Sequence, residues 1–512
     1  MRTPTPFTGN STLKRCRRGQ GLRLSELIPE AARPGLASSR DPEILGLAAD
    51  SRDVRPGFLF AALTGTRHRG RDFIPDALKH GAVAVLAEPD AAPLAVDAAV
   101  PLIVDPNPRR RLALIAAQFF GRQPKTIAAV TGTNGKTSVA SFLRQIWLTL
   151  GRRSASVGTL GVVAEGVAAD LHHTTPDPVS LHAALAALSD AGVTHLAMEA
   201  SSHGLDQCRL DGVSLVAAAF TNLTRDHFDY HQTFEDYYRA KARLFDTLLP
   251  SGGAAVINAD APEADRLVEA CTARRHRLIR VGTRGQEIVL IERREEGSGQ
   301  VLVLDLFGRR HELMFPLPGA FQASNALVAL GLAIGGGEAE DASLSALTQL
   351  RSVRGRLELV GHHSAGAPVY VDYAHSPDGL ATVLRALRPY AKRRLAVVFG
   401  CGGDRDRGKR PQMGALACEL ADLIVVTDDN PRSEDPAVIR RAILEACPSA
   451  TEIGDRRRAI EVAIASLGPG DLLVIAGKGH EEGQIIGKTV VPFDDASVAR
   501  EALRALGGEV VT

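Results

Sequence analysis

The sequence predicts an α/β protein built from three domains. Short apolar runs alternate with helical patterns along most of the chain, which is typical of strands and helices that form largely parallel sheets. With 512 residues the chain is too long for one ordinary domain, and its length favours about three. A glycine-rich turn at Thr131–Ser138 follows one of the apolar runs and precedes a helical pattern.

Three consecutive α/β blocks follow from the pattern along the chain. The first, 22–122, contains the apolar runs 58–63 and 82–87 and ends in a polar linker. The second, 123–353, opens with the buried strand Ile127–Val130 and includes a β-rich insertion near 285–315. The third, 354–512, predicts a doubly wound sheet with strands at 368–372, 395–400, 423–427 and 471–476.

Composition and charge argue against several classes of protein. The 60 Lys and Arg residues balance 59 Asp and Glu residues, so we expect no nucleic-acid partner and no anionic membrane partner. No apolar run is long enough to span a bilayer, and no apolar segment follows the basic cluster at 14–18. The six cysteines form no C-x-x-C pair, which disfavours a zinc site and fits a reducing cytosol. We expect a cytoplasmic monomer in which 1–21 is a disordered extension; a functional basic arm is the alternative.

The turn after Val130 has the sequence of a phosphate-binding loop. Its glycines would let backbone N–H groups approach phosphate oxygens at a helix N-terminus. Lys136 would reach the β- and γ-phosphates and Thr137 would bind Mg²⁺. The strict pattern requires Gly where Val130 stands, so a chance Gly-Lys-Thr is the alternative. Since the sequence lacks an Asn-Lys-x-Asp motif for reading guanine, we expect adenine.

Eight motifs in order resemble those of the Mur ligases over about residues 22–510. They include Thr-Gly-Thr-Asn-Gly-Lys-Thr, Asp-Asn-Pro-Arg and Gly-Lys-Gly-His-Glu, and they occupy 129–137, 173–176, 198–204, 222–231, 372–378, 400–410, 429–432 and 477–481. The resemblance implies an N-terminal UDP-substrate domain, a central P-loop ATPase domain and a Rossmann-like C-terminal domain.

Within that family, the motifs are most similar to those of ligases that extend UDP-N-acetylmuramoyl-L-Ala-D-Glu. The resemblance implies that the D-Glu side-chain carboxylate attacks ATP to give an acyl phosphate, and that an amino acid then displaces phosphate. We expect meso-diaminopimelate rather than L-lysine, because Arg432 could bind the additional carboxylate through two hydrogen bonds. The alternative role for Arg432 is to cap the turn after Pro431. The alternatives are a related ligase, such as a folate polyglutamate ligase, and a P-loop switch ATPase.

The resemblance also implies a metal and catalytic centre with an unusual lysine. Lys136, Glu199, His227 and Lys241 would be catalytic, and Thr137, Glu199, His227 and Lys241 would bind Mg²⁺. Glu199 ends an apolar strand, where a carboxylate could complete a Mg²⁺ shell with Thr137; a glutamate in a surface turn is the alternative. For His227 the alternative is a structural histidine. A bare Lys241 ammonium would repel the cation, so the family match implies carboxylation to a carbamate, a reaction that needs a neutral amine. Without that match, a solvated helix lysine would be the better interpretation of Lys241.

Three further sets of residues match family positions that bind substrates. The ATP set is Gly132, Thr133, Asn134, Gly135, Lys136, Thr137, Ser138, Asn325, Arg356 and Asp372. The UDP-substrate set is Ser51, Thr66, Arg67, His68, His173, Thr174, Thr175, Ser201, Gln207 and Arg209. The diaminopimelate set is Arg405, Asp429, Asn430, Pro431, Arg432, Gly477 and Glu481.

Overall fold

A computed structural model describes residues 21–28, 41–65, 68–90, 100–165, 167–169, 173–224 and 230–511. The expected extension 1–21 lies outside the described residues apart from Gly21, and so do the predicted site residues Thr66, Arg67 and His227. In the described part, no helix is long and apolar enough to cross a membrane.

Contacts divide the chain into two compact units. The first contains Met1–Val289 and Asn325–Ala346, and the second contains Leu290–Ser324 and Leu347–Thr512. The first unit therefore includes both the N-terminal block and most of the central block, while most of the β-rich insertion belongs to the second unit. The domain boundaries at 22, 123 and 354 stay predictions.

The N-terminal part of the first unit is a four-stranded parallel sheet, in the order β3-β4-β5-β6, beside a small antiparallel pair. Helix α3 starts after the cap Asn107, ends at Gly121 with φ +66°, and buries Leu112 and Phe119. The elements are β1 (Leu22–Arg23), α1 (Leu24–Leu27), β2 (Glu43–Ile44), β3 (Gly46–Ala48), β4 (Phe58–Ala62), α2 (Ile74–Lys79), β5 (Ala82–Ala87), β6 (Leu102–Val104) and α3 (Pro108–Phe120).

The central sheet places β7 between β11 and β12, both parallel to it. These strands are apolar on both faces because helices cover both sides of the sheet. The elements are β7 (Thr126–Thr131), α4 (Lys136–Thr149), β8 (Ser154–Gly158), β9 (Gly161–Ala164), β10 (Val167–Ala169), α5 (Pro178–Asp190), β11 (His195–Glu199), α6 (Ser202–Asp206), β12 (Leu215–Phe220), α7 (Phe234–Arg243), β13 (Ala254–Asn258), α8 (Ala264–Ala273) and β14 (Arg277–Gly282).

The expected β-rich insertion is present as three strands. The first of them begins in the first unit, pairs with β14 at Ile288 and Val289, and continues into the second unit. The other two form an antiparallel hairpin. The elements of this region are β15 (Ile288–Glu296), β16 (Gly299–Leu306), β17 (Arg309–Phe315), α9 (Ala320–Gly335) and α10 (Glu340–Ala346).

The rest of the second unit is a doubly wound seven-stranded sheet in the order β22-β21-β20-β23-β19-β18-β26. Two separate apolar clusters cover its faces. The elements are β18 (Glu358–His362), β19 (Pro368–Asp372), α11 (Pro377–Leu387), β20 (Leu395–Phe399), α12 (Lys409–Leu420), β21 (Leu423–Val426), α13 (Pro436–Leu444), β22 (Thr451–Glu452), α14 (Arg456–Ala465), β23 (Leu472–Ala476), β24 (Gly483–Ile486), β25 (Thr489–Pro492), α15 (Asp495–Ala505) and β26 (Glu509–Val510).

A buried ion pair joins α14 to α15. The Arg456 and Asp495 side chains are both 0% exposed and share two hydrogen bonds of 2.7 Å. The Arg456 guanidinium also donates to the carbonyl of Ala476 at the end of β23. Because Asp495 would keep a desolvated charge without its partner, we expect Arg456→Ala to lower the free energy of unfolding of the second unit by about 3–5 kcal/mol.

The neighbouring Arg457 provides the matched control. It pairs with Glu501 at the surface, where both side chains are at least half exposed, and such pairs contribute only about 0–1 kcal/mol. Denaturant unfolding followed by circular dichroism, with proteolysis to identify the unfolding unit, compares the two variants. Equal losses for Arg456→Ala and Arg457→Ala would contradict a stabilising role specific to the buried pair.

Candidate active site

The glycine-rich turn of the first unit is a tight loop between β7 and α4. Gly132 has φ +148° and Gly135 has φ +88°, a left-handed conformation that favours glycine. A Cβ at Gly132 would lie 1.9 Å from the Thr221 hydroxyl oxygen, and one at Gly135 would lie 2.3 Å from Asn325 Oδ1. Both glycines are therefore required by the space around the loop. The predicted strand–turn–helix context is confirmed.

The end of β12 holds this loop in place. Asn222 Oδ1 accepts from the Asn134 backbone N–H at 3.0 Å, and the Thr221 hydroxyl donates to the Asn134 carbonyl at 2.6 Å. The Thr133 hydroxyl lies 3.1 Å from the Tyr237 hydroxyl. These contacts fix the backbone that would surround a phosphate, so little reorganisation is needed on binding.

Two lysines meet at one carbonyl of the loop. Lys136 Nζ donates to the carbonyls of Gly132 at 2.9 Å and Thr133 at 2.8 Å. Lys241 Nζ, from α7, donates to the same Gly132 carbonyl at 2.8 Å. Lys241 is 2% exposed and its ammonium lies 4.3 Å from the centre of the Tyr237 ring. The alternative of a solvated helix lysine is wrong, while carboxylation of Lys241 stays a prediction.

A buried carboxylate faces the first turn of α4. Glu199 ends β11, is 2% exposed, and accepts a 3.0 Å hydrogen bond from the Thr137 hydroxyl. Its carboxylate also accepts from the backbone N–H of Thr159 at 2.8 Å and from the Thr159 hydroxyl at 3.2 Å. Gly158 makes room for it, since a Cβ there would lie 2.1 Å from Glu199 Oε1. Parallel strands thus bring Glu199 and Thr137 to one edge of the sheet, as predicted.

The Thr137 hydroxyl and Glu199 carboxylate are hard oxygen donors of the kind that Mg²⁺ prefers. Among the described residues, no group of three or more His, Cys, Asp or Glu side chains could hold a metal ion. A cation at this position would need further ligands, and phosphate oxygens and water usually supply several of them for Mg²⁺. The residues present fit that ion.

Several predicted UDP-substrate residues form one network behind Glu199. The Thr175 hydroxyl donates to the Glu199 carbonyl at 3.0 Å and accepts from the backbone N–H of Ser201 at 2.9 Å. Arg209 Nη1 donates to the Thr175 carbonyl at 2.7 Å, and its other nitrogens donate to Gln207 Oε1. Burial lowers the pKa of Arg209. Hydrogen bonds within the protein therefore hold these side chains in place.

Four other described members of this set have separate surroundings: Thr174, His173, Ser51 and His68. The Thr174 hydroxyl is 3.1 Å from the Thr159 hydroxyl, and the preceding residue, His173, is exposed. Ser51 opens a short turn after β3, and its carbonyl is 2.9 Å from His80 Nδ1. His68 stacks edge-on to Phe73 at 5.9 Å. In the described part of the chain, neither Ser51 nor His68 hydrogen bonds to the Thr175 network.

In the second unit, Asp372 at the end of β19 lies near Arg356, which precedes β18. Asp372 accepts from the backbone N–H groups of Leu357 at 2.7 Å and Ala374 at 2.8 Å. Burial raises the pKa of Asp372, and the nearby Arg356 guanidinium opposes that shift. The Arg356 guanidinium lies 4.4 Å from the centre of the Tyr373 ring, and its buried Nε has no hydrogen-bond partner within the described residues. An unsatisfied buried donor of this kind is suited to an anionic ligand.

Three members of the predicted diaminopimelate set, Asp429, Asn430 and Glu481, surround a buried lysine. Lys478 is 0% exposed and donates to Asn430 Oδ1 at 3.1 Å and Glu481 Oε2 at 3.2 Å. Its ammonium lies 3.7 Å from Asp429 Oδ1, and Asn430 Nδ2 donates to Glu481 Oε2 at 2.9 Å. Gly477 has φ +118°, and a Cβ there would lie 2.9 Å from Asp429 Oδ2.

Arg432 supports the backbone of the same region. It has φ +53°, and its Nη1 donates to the carbonyl of Gly403 at 2.8 Å and contacts that of Asn430 at 3.5 Å. Arg432 thus stabilises the turn after Pro431. This structural role is the alternative to the predicted binding of a substrate carboxylate. These bonds use one nitrogen of the guanidinium. Arg405 is exposed in the loop that contains Gly403.

Sequence reasoning missed three residues that the structure places in these sites. Lys478 lies in the Gly-Lys-Gly-His-Glu motif, between Gly477 and Glu481 of the predicted diaminopimelate set. The motif itself could therefore have indicated it. Thr159 lies in no motif. Its hydrogen bonds to Glu199 depend on the pairing of β8 with β11, which no local pattern shows. Arg456 contacts the ends of β23 and β21 from a separate helix, and its position 26 residues after Asn430 gives no local signal.

The space around Gly135 generates a test of the loop. We expect Gly135→Ala to weaken ATP binding by more than about tenfold, or ~1.4 kcal/mol, because the methyl group would displace Asn325 and distort the helix N-terminus. Gly151→Ala is the control, since Gly151 has φ +74° but open space around its Cα. Titration with a fluorescent ATP analogue measures both. Equal affinities for the two variants would show that this glycine does not shape the nucleotide site.

Comparisons with known proteins agree with the motifs. The chain matches the Mur ligase family catalytic domain at residues 43–120, the Mur ligase middle domain at 130–333 and the Mur ligase glutamate ligase domain at 355–479. The relative from Mesorhizobium japonicum named UDP-N-acetylmuramoyl-L-alanyl-D-glutamate–2,6-diaminopimelate ligase is 52% identical, covering 94% of this chain and 99% of its own. One from Chelativorans with the same name is 54% identical over 90% and 95% of the two chains.

Solved structures give the same result. A structure of UDP-N-acetylmuramoyl-L-alanyl-D-glutamate–2,6-diaminopimelate ligase superposes with a TM-score of 0.68 and 34% identity, covering 90% of this chain and 95% of that one. These matches confirm the resemblance inferred from the eight motifs and the three-domain α/β class. The chain belongs to the Mur ligase family.

Proposed function

We propose that this protein is an ATP-dependent ligase that joins meso-diaminopimelate to the D-Glu side-chain carboxylate of UDP-N-acetylmuramoyl-L-Ala-D-Glu. The product would be a tripeptide precursor of peptidoglycan. The observation that carries the proposal is that relatives bearing this enzyme name are 52–54% identical over at least 90% of the chain. The surroundings of Gly132 support it, because the two lysines, the Thr137 hydroxyl and the buried Glu199 carboxylate are suited to phosphoryl transfer.

In the first step, a D-Glu carboxylate oxygen attacks the γ-phosphorus of ATP, and the bond between that phosphorus and the bridging oxygen breaks to release ADP. Lys136 balances the charge on the transferring phosphoryl group, and backbone N–H groups at the start of α4 bind its oxygens. When bound, Mg²⁺ supplies further charge neutralisation. Thr137 and Glu199 would hold it, together with His227 and carboxylated Lys241.

In the second step, the amino group of diaminopimelate attacks the acyl carbon, and phosphate leaves as the amide forms. This step requires positioning more than activation, because an acyl phosphate is already reactive. Asp429, Asn430 and Glu481 would orient the amino acid, with Arg432 and Arg405 facing its carboxylates. Lys478 holds Glu481 and Asn430 in place.

Carboxylation of Lys241 is the modification that this mechanism requires. A carbamate would replace the ammonium at the Gly132 carbonyl with an anionic oxygen ligand for Mg²⁺, and burial favours the neutral amine that reacts with CO₂. We expect Lys241→Ala to lose at least about 99% of turnover, or ~2.7 kcal/mol, and to regain part of it with added acetate or propionate. Lys241→Arg, which keeps a cation, should not respond to these acids.

Loss of activity alone would not establish the carbamate, because removing any buried side chain can inactivate an enzyme. A direct measurement is ¹³C NMR of the protein equilibrated with ¹³C-bicarbonate, ATP and Mg²⁺. We expect a carbamate resonance that is absent from Lys241→Ala. A wild-type spectrum without that resonance, together with full turnover, would contradict the modification.

Selection of the amino acid tests the proposed reaction. Supplied with ATP, the UDP-dipeptide and equal amounts of both amino acids, the enzyme should incorporate meso-diaminopimelate rather than L-lysine. We expect Arg432→Ala to reduce kcat/KM for diaminopimelate about ten- to a hundredfold more than for lysine, since a lost charged hydrogen bond costs roughly 1–3 kcal/mol. Mass spectrometry of the products measures both ratios.

Arg407→Ala is the matched control because Arg407 is an exposed arginine in the neighbouring loop, paired only loosely with Glu434 at 3.4 Å. Equal incorporation of the two amino acids would overturn the assigned substrate. An equal loss for both substrates in Arg432→Ala would mean that Arg432 only supports the turn at Gly403. ADP release that needs neither UDP-dipeptide nor amino acid would instead favour a switch ATPase.

A further inference from the structure

Two cysteines of the second unit approach each other away from the residues discussed above. Cys418 is exposed in the last turn of α12, and Cys447 is buried three residues after α13. The hydroxyl of Ser449 lies 3.5 Å from Cys418 Sγ and 4.0 Å from Cys447 Sγ. The two thiols therefore share one polar neighbour, although 28 residues separate them in the sequence.

The backbones beneath these thiols are in close contact. Gly414 lies one helical turn before Cys418, and Ile443 lies four residues before Cys447. A Cβ at Gly414 would lie only 2.4 Å from the Ile443 carbonyl oxygen, so only glycine allows the two helices to come this close. This close approach of the two helices, with both thiols near Ser449, suits the short Cα separation that a disulfide requires.

We propose that Cys418 and Cys447 are a peroxide-reactive pair that forms a reversible disulfide within this chain. The thiolate of exposed Cys418 first attacks one oxygen of hydrogen peroxide, the O–O bond breaks, and hydroxide leaves as the sulfur becomes a sulfenic acid. The Cys447 sulfur then attacks the Cys418 sulfur, and the sulfenic oxygen leaves as water. In total, two thiols and one hydrogen peroxide give one disulfide and two waters.

The surroundings of the two thiols favour this order of events. Hydrogen bonds from Ser449 and Cys447 lower the pKa of Cys418, which increases the thiolate fraction that reacts with peroxide. Burial raises the pKa of Cys447, so it remains protonated and shielded from solvent. Because the second step is internal, a buried thiol can complete it. The disulfide would protect Cys418 from irreversible oxidation to sulfinic acid.

The test uses the full-length protein treated with hydrogen peroxide, alkylated with N-ethylmaleimide and mapped by mass spectrometry without reduction. We expect a peptide containing Cys418 linked to one containing Cys447 as the main disulfide, and its loss on treatment with dithiothreitol. Cys271→Ala, at a buried cysteine of the first unit, is the control and should leave the link unchanged. Protein unfolded in guanidinium before oxidation should lose the preference for this pair.

Two variants separate the roles of the neighbours. Cys447→Ala should convert Cys418 mainly to sulfinic and sulfonic acids, because no resolving thiol remains. Ser449→Ala should slow the reaction of Cys418 with peroxide several-fold while leaving the pairing intact. Wild-type protein in which Cys418 is over-oxidised while Cys447 stays a free thiol would overturn the proposal. So would disulfides that join Cys418 residues of two chains.

Discussion

The carbonyl of Gly132 is the point on which the active-site arrangement depends. Lys136 and Lys241 both donate to it, one from the loop itself and the other from α7. The loop follows β7, and the two strands beside β7 deliver the other groups: β11 ends at Glu199, and β12 leads to Thr221 and Asn222. A parallel sheet brings these strand ends to one edge, so residues distant in sequence meet there.

Buried charge is balanced differently in the two units. In the first, the Glu199 carboxylate is satisfied by hydroxyl and backbone donors, which leaves its negative charge available to a cation. In the second, the buried ammonium of Lys478 lies beside Asp429 and Glu481, and the nearby Arg456 pairs with Asp495. The proposed binding of a zwitterionic amino acid here would need both signs of charge at close range, and the Lys478 ammonium offsets the repulsion between the two carboxylates.

The sequence predicts the local parts of this structure well, for physical reasons. Runs such as Leu395–Phe399 are short and apolar throughout, which favours strands covered by helices on two sides, and this one is a fully buried strand. The phosphate loop is likewise local, because its glycines and Lys136 lie within five residues. Lys241 depended on the family resemblance, whereas Glu199 was predicted from its place at the end of an apolar strand. Lys241 bonds to the Gly132 carbonyl and Glu199 to the Thr137 hydroxyl.

The sequence does not predict features that depend on distant contacts. The assignment of most of the insertion to the second unit depends on which surfaces meet, and composition does not show this. Thr159 bonds to Glu199 because β8 pairs with β11, and Lys478 bonds to Asn430, 48 residues earlier in the sequence. The bond from Arg432 to the Gly403 carbonyl joins residues 29 apart. Such residues become visible when the sheet order is known.

The central claim is that the loop around Gly132 transfers a phosphoryl group to the substrate carboxylate before the amide forms. It is tested most directly with a UDP-dipeptide whose D-Glu side-chain carboxylate carries ¹⁸O. An acyl phosphate route predicts that one labelled oxygen leaves with each phosphate released, as measured by mass spectrometry. Phosphate that carries only oxygen from ATP and water would contradict the account.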